Sequence, residues 1–309
     1  MDSDFASHIL INNIWSDFYD SVKGEDWPIC VNEHEFQSLP GNVRKEILEV
    51  FNGEQFIKLS DSDITLCPLD IEFNQSFDTP GKYLRPDIIV PDNHVDEVVC
   101  NERYLVAKDF SVLYNQSMFG FGTYHCQHYP KMIKYLYPNR YFKDCLEWCS
   151  GPGFIGFRLL SDGLIKSITM LDCYQPSLSA CEKTWEHRPD RLADNTMNII
   201  CGSTVSSLGD KMFDLIVANP PNFINEETEG LSLDVVRLTR DPGMRAHTDF
   251  FLNIKKNLKP NGIILLLKAQ GGSNPLDHKP AIEQGGLKIN RVIIDKNCPA
   301  LYYLEVLHQ

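Results

Sequence analysis

From about residue 140 onward, short apolar runs recur along the chain at 144–149, 167–173, 197–202, 213–218, 262–268, 287–294 and 301–307. Apolar runs of this length, bounded by turn residues, are expected to be buried strands. Between the first five lie segments long enough for helices, at 154–163, 176–187 and 244–258. Strands alternating with helices predict a parallel, doubly wound sheet. The last two runs are joined only by Asp295-Lys296-Asn297-Cys298-Pro299-Ala300, too short for a crossover helix. They are expected to pair antiparallel. The pattern therefore predicts an α/β fold, a seven-stranded Rossmann-like sheet closed by a C-terminal hairpin.

The first third is less regular. A helix is expected over 5–22 and a better patterned one over 41–51, where Val43, Ile47, Val50 and Phe51 are apolar and Gly53 is a stop. Residues 55–110 are strand-rich and punctuated by Pro68, Pro80-Gly81, Pro86 and Pro91-Asp92. With 309 residues, the chain exceeds one average domain. The expected division is an N-terminal α+β domain over 1–110, a linker over 111–140 and the doubly wound domain over 141–309.

Composition narrows the classes. A chain that is 43% hydrophobic and 23% charged builds a core and is not a disordered one. No apolar window is long enough to span a bilayer, and the acidic start Met1-Asp2-Ser3-Asp4 is unlike a secretory leader. The expectation is a cytoplasmic protein with no membrane partner. Ten cysteines stand at 30, 67, 100, 126, 145, 149, 173, 181, 201 and 298 with no Cys-x-x-Cys pair, so neither a zinc site nor a disulfide scaffold is expected. Cys145, Cys173 and Cys201 fall in strand runs and are expected to be buried thiols. A metal held by His125, Cys126 and His128 lacks a second cluster, and no metal is expected.

Charge is unevenly divided. Residues 1–110 carry 22 acidic and 8 basic side chains, a net of −14, while the remainder is near neutral. An acidic surface is a poor handle for a phosphate backbone. Lys255, Lys256, Lys259 and Lys268 are the candidates for a local basic patch, the first three being expected rather on a solvated helix end.

The candidate chemistry begins at the first strand, which runs Leu146-Glu147-Trp148-Cys149-Ser150-Gly151-Pro152-Gly153-Phe154-Ile155-Gly156. Gly151, Gly153 and Gly156 fit the G-x-G-x-x-G turn between a strand and a helix. Asp172, 21 residues after Gly151, ends the second strand, where a carboxylate accepts ribose hydroxyls. These elements point to an adenosine-containing cofactor and leave NAD open beside S-adenosylmethionine. Glu147, inside the end of the first strand, is unlike the apolar strand of NAD folds. The fourth strand ends Asp214-Leu215-Ile216-Val217-Ala218-Asn219-Pro220-Pro221-Asn222-Phe223. Two prolines hold the backbone extended, so the Asn219 carboxamide oxygen and the Pro220 carbonyl make two acceptors aimed at one spot. Such a pair holds the hydrogens of an amino or amide nitrogen and leaves its lone pair for an electrophile.

These motifs resemble the class I S-adenosylmethionine-dependent methyltransferases, and within them the branch with an Asn-Pro-Pro-aromatic motif: release-factor glutamine, N6-adenine and ribosomal methyltransferases. The resemblance covers roughly residues 115–309. It implies S-adenosyl-L-methionine as cofactor, with Asn219 and Pro220 as catalytic residues. Phe119, Thr123, Glu147, Gly151, Gly153, Asp172, Ser203 and Asn219 are implied as cofactor-binding, and Pro221, Asn222 and Phe223 as substrate-binding. The segment Phe119 to His125 also resembles a cofactor-covering stretch of ribosomal-protein methyltransferases, and is expected to act as hinge and gate to an N-terminal domain that chooses the substrate.

Three positions depart from the family pattern. Cys149 stands where the first glycine of the triplet is usual, Ser203 where an acid often meets adenine, and Asn222 where an aromatic stacks on the target. A protein or peptide side-chain nitrogen is the expected substrate. The alternatives are a nucleic-acid base, a small molecule, a non-methylating use of S-adenosylmethionine, and, more remotely, an NAD-dependent oxidoreductase or an inactive binding module. Trp148 is expected to pack, Tyr302 and Tyr303 to pack in the hairpin, and the segment Asp241 to His247 to be either a substrate lid or a polar helix start.

Overall fold

The computed structural model describes residues 65–69, 102–107, 109–115, 118, 128–224, 233–269, 272–295 and 301–309. The helices expected over 5–22 and 41–51, and the gate expected from Phe119 to His125, lie outside the described residues. In chain order the principal elements are β1 (Thr65–Leu69), β2 (Glu102–Ala107), β3 (Phe110–Tyr114), α1 (His128–Leu136), β4 (Phe142–Trp148), α2 (Phe154–Ser161), β5 (Ile165–Asp172), α3 (Gln175–Glu186), β6 (Thr196–Cys201) and β7 (Phe213–Ala218). They continue with α4 (Leu233–Thr239), α5 (Arg245–Asn253), β8 (Leu258–Ala269), α6 (Pro275–Gln284), β9 (Leu287–Asp295) and β10 (Leu301–His308).

The main sheet runs β1-β9-β10-β8-β7-β4-β5-β6. Strands β6, β5, β4, β7 and β8 are parallel, and β10 lies antiparallel between β8 and β9. This is the expected seven-stranded Rossmann-like sheet with its closing hairpin. An eighth strand, β1, extends it by pairing parallel with β9 from Thr65↔Arg291 to Leu69↔Asp295. The pair β2 and β3 forms a separate antiparallel hairpin across residue 110, the expected domain boundary. That hairpin is tied to the doubly wound fold: Leu113 N donates to Thr184 Oγ1 on α3, and Arg158 on α2 donates to the Val106 carbonyl.

Strand side chains alternate between two apolar layers, as a sheet covered on both faces requires. Cys145, Ile168, Met170, Leu215 and Val217 pack with Tyr129 and Ile133 of α1, Phe157 of α2 and Leu178 of α3. Leu146, Trp148, Ile216, Ala218, Ile264 and Leu266 face the other way, onto Phe250 and Phe251 of α5 and Ile282 of α6. Trp148 stacks on Phe250 at 4.0 Å between ring centroids, a packing role. Each such fully buried side chain stabilises the fold by about 1.5–3 kcal/mol.

The order of strands reverses at β4, whose neighbours are β5 and β7. Trp148 is level with Leu171 of β5 and Ala218 of β7. The next residues, Cys149, Asp172 and Asn219, therefore emerge together at the carboxyl edge, where open α/β sheets bind ligands.

Candidate active site

The glycine turn is organised by a carboxylate. Glu147 is 2% exposed, and its oxygens accept the amides of Ile155 at 3.2 Å and Gly156 at 2.7 Å, capping the N-terminus of α2. Burial raises its pKa to about 8, against the lowering effect of those two N–H groups. Gly156 is required here, because a Cβ would stand 2.7 Å from Glu147 Oε2. Gly153 sits at φ +85, and a Cβ there would meet Met170 and Phe157 at 2.8 Å. Cys149 adopts φ +52, the left-handed region that the family's usual glycine takes without strain.

Asp172 completes the turn. Its Oδ2 accepts from Gly151 N and its Oδ1 from Tyr174 N, both at 2.8 Å. Burial raises its pKa, opposed by those amides and by the charge of Arg237. Each carboxylate oxygen has a second lone pair, so the group can still accept a vicinal diol. The cleft around it is walled by Met118, Phe154 and Ile155, which supply apolar groups, and by Asn219 and Pro221. A carboxylate for ribose, apolar walls for a purine and an amide acceptor at the far strand fit S-adenosylmethionine.

Of the expected residues, Glu147, Gly151, Asp172, Asn219 and Pro221 wall this one cleft. Gly153 is buried beneath the turn. Ser203 is exposed after β6 and is not among the walls, nor are Asn222 and Phe223. Phe119 and Thr123 lie outside the described residues. Cys149 of the glycine turn also walls the cleft, as do Cys173 and, from α4, Arg237 and Leu238, which carry no recognisable motif. The Arg237 guanidinium lies 3.6 Å from the centroid of the Tyr174 ring, a cation–π contact between α4 and the start of α3.

The turn after β7 is clamped by residues 239–243. The amides of Asn222 and Phe223 donate to the Thr239 carbonyl at 3.0 and 2.9 Å, Asp241 N to Phe223 O at 2.8 Å, and Gly243 N to Ile224 O at 3.1 Å. Pro220 is buried, and the Phe223 ring lies under the Arg240 guanidinium, 5.0 Å away. The Asn222 carboxamide donates from Nδ2 to Asn219 Oδ1 at 3.4 Å. One primary amide nitrogen is thus already seated against the acceptor expected to hold the target.

Three expectations need correction. Lys268 is fully buried, with Nζ 3.3 Å from the Pro221 carbonyl and 2.8 Å from His247 Nε2, so it belongs to no surface patch. Lys259 is paired with Asp144 at 2.7 Å and Asp214 at 2.9 Å; only Lys255 and Lys256 stand exposed. Cys145 is buried as expected, but Cys173 and Cys201 are exposed because they sit at the ends of their strands, beyond the layers that cover the sheet. The segment from Asp241 is a helix start: Asp241 Oδ1 and Oδ2 accept the amides of Ala246 and His247. Tyr302 and Tyr303 are buried in the hairpin, each with a hydroxyl partner, Ser273 and His128. No described helix is long and apolar enough to cross a membrane, and no metal-binding cluster occurs among the described residues.

Residues 132–268 match the family model of the methyltransferase small domain. A bifunctional methyltransferase of Rickettsia felis is 28% identical over 135 residues, which is 41% of this chain and 25% of the relative. The chain thus spans a quarter of the length of that curated relative. Among solved structures, a ribosomal protein L11 methylase of Lactobacillus delbrueckii subsp. bulgaricus is 14% identical with a TM-score of 0.44, covering 61% of this chain and 81% of that one. A glycopeptide N-methyltransferase solved with S-adenosyl-L-methionine is likewise 14% identical with a TM-score of 0.44, covering 63% and 90%. Residues 132–268 thus resemble a methyltransferase small domain, carried on a sheet of Rossmann-like strand order.

Proposed function

We propose that the chain transfers a methyl group from S-adenosylmethionine to an amide or amino nitrogen of a protein side chain. The observation that carries this reading is the Asn222 carboxamide, whose Nδ2 donates to Asn219 Oδ1 within the turn after β7. A primary amide of the chain itself occupies the position that a target nitrogen would take. Asn219 Oδ1 and the Pro220 carbonyl accept the two N–H bonds of the target and leave its lone pair directed at the donor. S-adenosylmethionine would supply the methyl on a sulfonium: the N–C bond forms as the S–CH3 bond breaks, the thioether leaves neutral, and the nitrogen releases one of its two protons to solvent. The protein is therefore asked mainly for alignment, which is worth several kcal/mol of barrier. Glu147 holds the glycine turn, Asp172 takes the ribose, and the apolar wall formed by Met118, Phe154 and Ile155 excludes water from the adenosine.

A protein acceptor is favoured over nucleic acid on charge. The acidic excess of residues 1–110 repels phosphate, and of the four lysines considered as a patch only two are exposed and unpaired in ion pairs among the described residues. Residues 1–110 are assigned to substrate choice in a cytoplasmic setting. The test is incubation of a cell lysate with the tritiated donor and the full chain, followed by protease or nuclease digestion. Label released by protease alone, and absent with Asn219→Ala, supports the reading. Label released only by nuclease reverses the substrate assignment.

A further inference from the structure

Asp241 in the turn before α5, His247 on α5 and Lys268 on β8 close one hydrogen-bonded ring with the turn after β7. His247 Nδ1 lies 2.6 Å from Asp241 Oδ2, so Nδ1 carries the ring hydrogen and Nε2 presents a lone pair. Lys268 Nζ donates to that Nε2 at 2.8 Å and to the Pro221 carbonyl at 3.3 Å. The ring returns through backbone, because Asp241 N donates to Phe223 O, two residues beyond Pro221. His247 and Lys268 are 0% exposed and Asp241 5%, and none of the three walls the cleft.

Such a set is expensive to bury. A buried ion pair is often no better for stability than an apolar group of the same volume, and its best attested use is to fix one geometry among several. Leu266, two residues before Lys268 on the same face of β8, meets the core with no polar atom. A lysine at the next position costs desolvation and gains a donor aimed at the Pro221 carbonyl. We propose that Asp241, His247 and Lys268 act as one positioning unit that fixes this carbonyl and thereby sets where the Asn219 carboxamide and the Pro220 carbonyl point. The inference rests on the reading that this turn holds the target nitrogen. The three residues are positioning residues; none touches the reacting atoms.

The protonation states agree with the geometry. Burial and the charge of Lys268 bring His247 down to about 4, so the imidazole is neutral and its Nε2 accepts. Burial lowers Lys268 to about 7, with Asp241, Cys149 and Asp277 acting in the opposite direction. His278 on α6, with its ring 4.9 Å from that of His247, is held neutral by burial and by the charge of Lys268. Near pH 7 and below, the ammonium donates to both partners; above it the neutral amine is a weaker donor, and the turn is held less firmly.

The experiment uses the full chain. Ring nitrogen NMR of the wild type reports the tautomer of His247 and its response to pH. A hydrogen on Nδ1 and a shift with a midpoint near 7, driven by Lys268, are expected; a hydrogen on Nε2 overturns the proposal without any variant. Lys268→Met is then compared with Asn219→Ala for transfer of tritium into lysate protein between pH 5.5 and 9. S-adenosylhomocysteine calorimetry serves as the check of an intact cleft. The wild type is expected to decline in rate above pH 7, and Lys268→Met to keep product affinity within about twofold, to lose roughly tenfold or more in rate, and to lack that decline. A normal rate and pH profile in Lys268→Met beside an inactive Asn219→Ala overturns the positioning role and leaves the transfer reading intact. Full activity of Asn219→Ala overturns both.

Discussion

The hydroxyl of Tyr129 stands between two neighbouring strands, donating to the Ala218 carbonyl at 2.7 Å and accepting from Leu267 N at 3.1 Å. Ala218 is paired with Leu266 in the same parallel ladder, so a side chain from α1 joins the ladder at its carboxyl end. Ala218 is the last residue before Asn219, so α1 fixes the exit of β7 toward the cleft. Tyr129→Phe removes one oxygen and with it a hydrogen-bond partner of each of these two buried backbone groups. The expected cost is about 1–3 kcal/mol of stability, with a lower melting temperature. Thermal unfolding of the two proteins checks it, and an unchanged transition would mean that β7 and β8 close up unaided.

Cys149 occupies a left-handed conformation at φ +52 and packs on the second apolar layer. Strain and packing therefore oppose each other at this position. Cys149→Gly relieves the backbone and loses contacts, and the two effects are expected to cancel to within about 1 kcal/mol. Cys149→Val places a β-branched side chain at positive φ and is expected to cost more than about 1 kcal/mol. Chemical denaturation of both variants distinguishes them. Equal stabilities would show that the conformation carries no strain.

The parts of the fold that follow a local period were legible in the chain. The runs from Cys145 to Trp148 and from Phe213 to Ala218 announce covered parallel strands, and the short 295–300 connection announces the hairpin. Strand β1 was hidden because a five-residue run containing Pro68 resembles a loop, yet a proline is tolerated on an edge strand, and β1 is at the sheet edge. Helix α6 was hidden by Pro275 and Pro280, although Asn274 and Asp277 form a capping box that starts it. At the site, Glu147, Asp172 and Asn219 were visible because each ends a strand in a spaced motif. The chain pattern offers Lys268 only as a patch lysine, His247 only as the end of a lid or helix start, and Tyr129 not at all, since each meets its partner through strand order and helix packing, which no spacing along the chain encodes.

Glu147 ties the pH dependence of stability to the glycine turn. Its folded pKa, about 8, lies above the ordinary value of 4.5, so the folded state binds the extra proton between those limits. The stabilisation linked to this proton is fully present below pH 4.5 and is lost as pH rises through 8, with a slope of up to ~1.4 kcal/mol per pH unit. His247, lowered to about 4 from 6.5, acts with the opposite sign between those two values. Between pH 6.5 and 8 the Glu147 contribution is therefore free of His247, while the lowered Lys268 begins to oppose it near 7. Glu147→Gln does not titrate, and its stability is expected to fall less steeply, or to rise, across pH 6.5–8. Urea unfolding at stepped pH measures the two slopes, and equal slopes would refute a protonated Glu147.

Asn222 is expected to compete with the acceptor. Its carboxamide donates to Asn219 Oδ1 at 3.4 Å, so a target nitrogen has to displace an internal partner before it is held. A neutral hydrogen bond is worth about 0.5–1.5 kcal/mol net, and removing the competitor returns that amount to acceptor binding. Asn222→Ala is therefore expected to lower KM for the methylated protein by roughly two- to tenfold, with kcat little changed, because Asn219 and the Pro220 carbonyl remain. Affinity for S-adenosylhomocysteine should be unaltered, since Asn222 is not among the walls of the cleft. The measurement is initial rates over acceptor concentration at saturating tritiated donor. A fall in kcat with KM unchanged would give Asn222 a different role, as a group that supports Asn219 during transfer, and the contact at 3.4 Å would then be a bond the reaction uses, with no displacement needed.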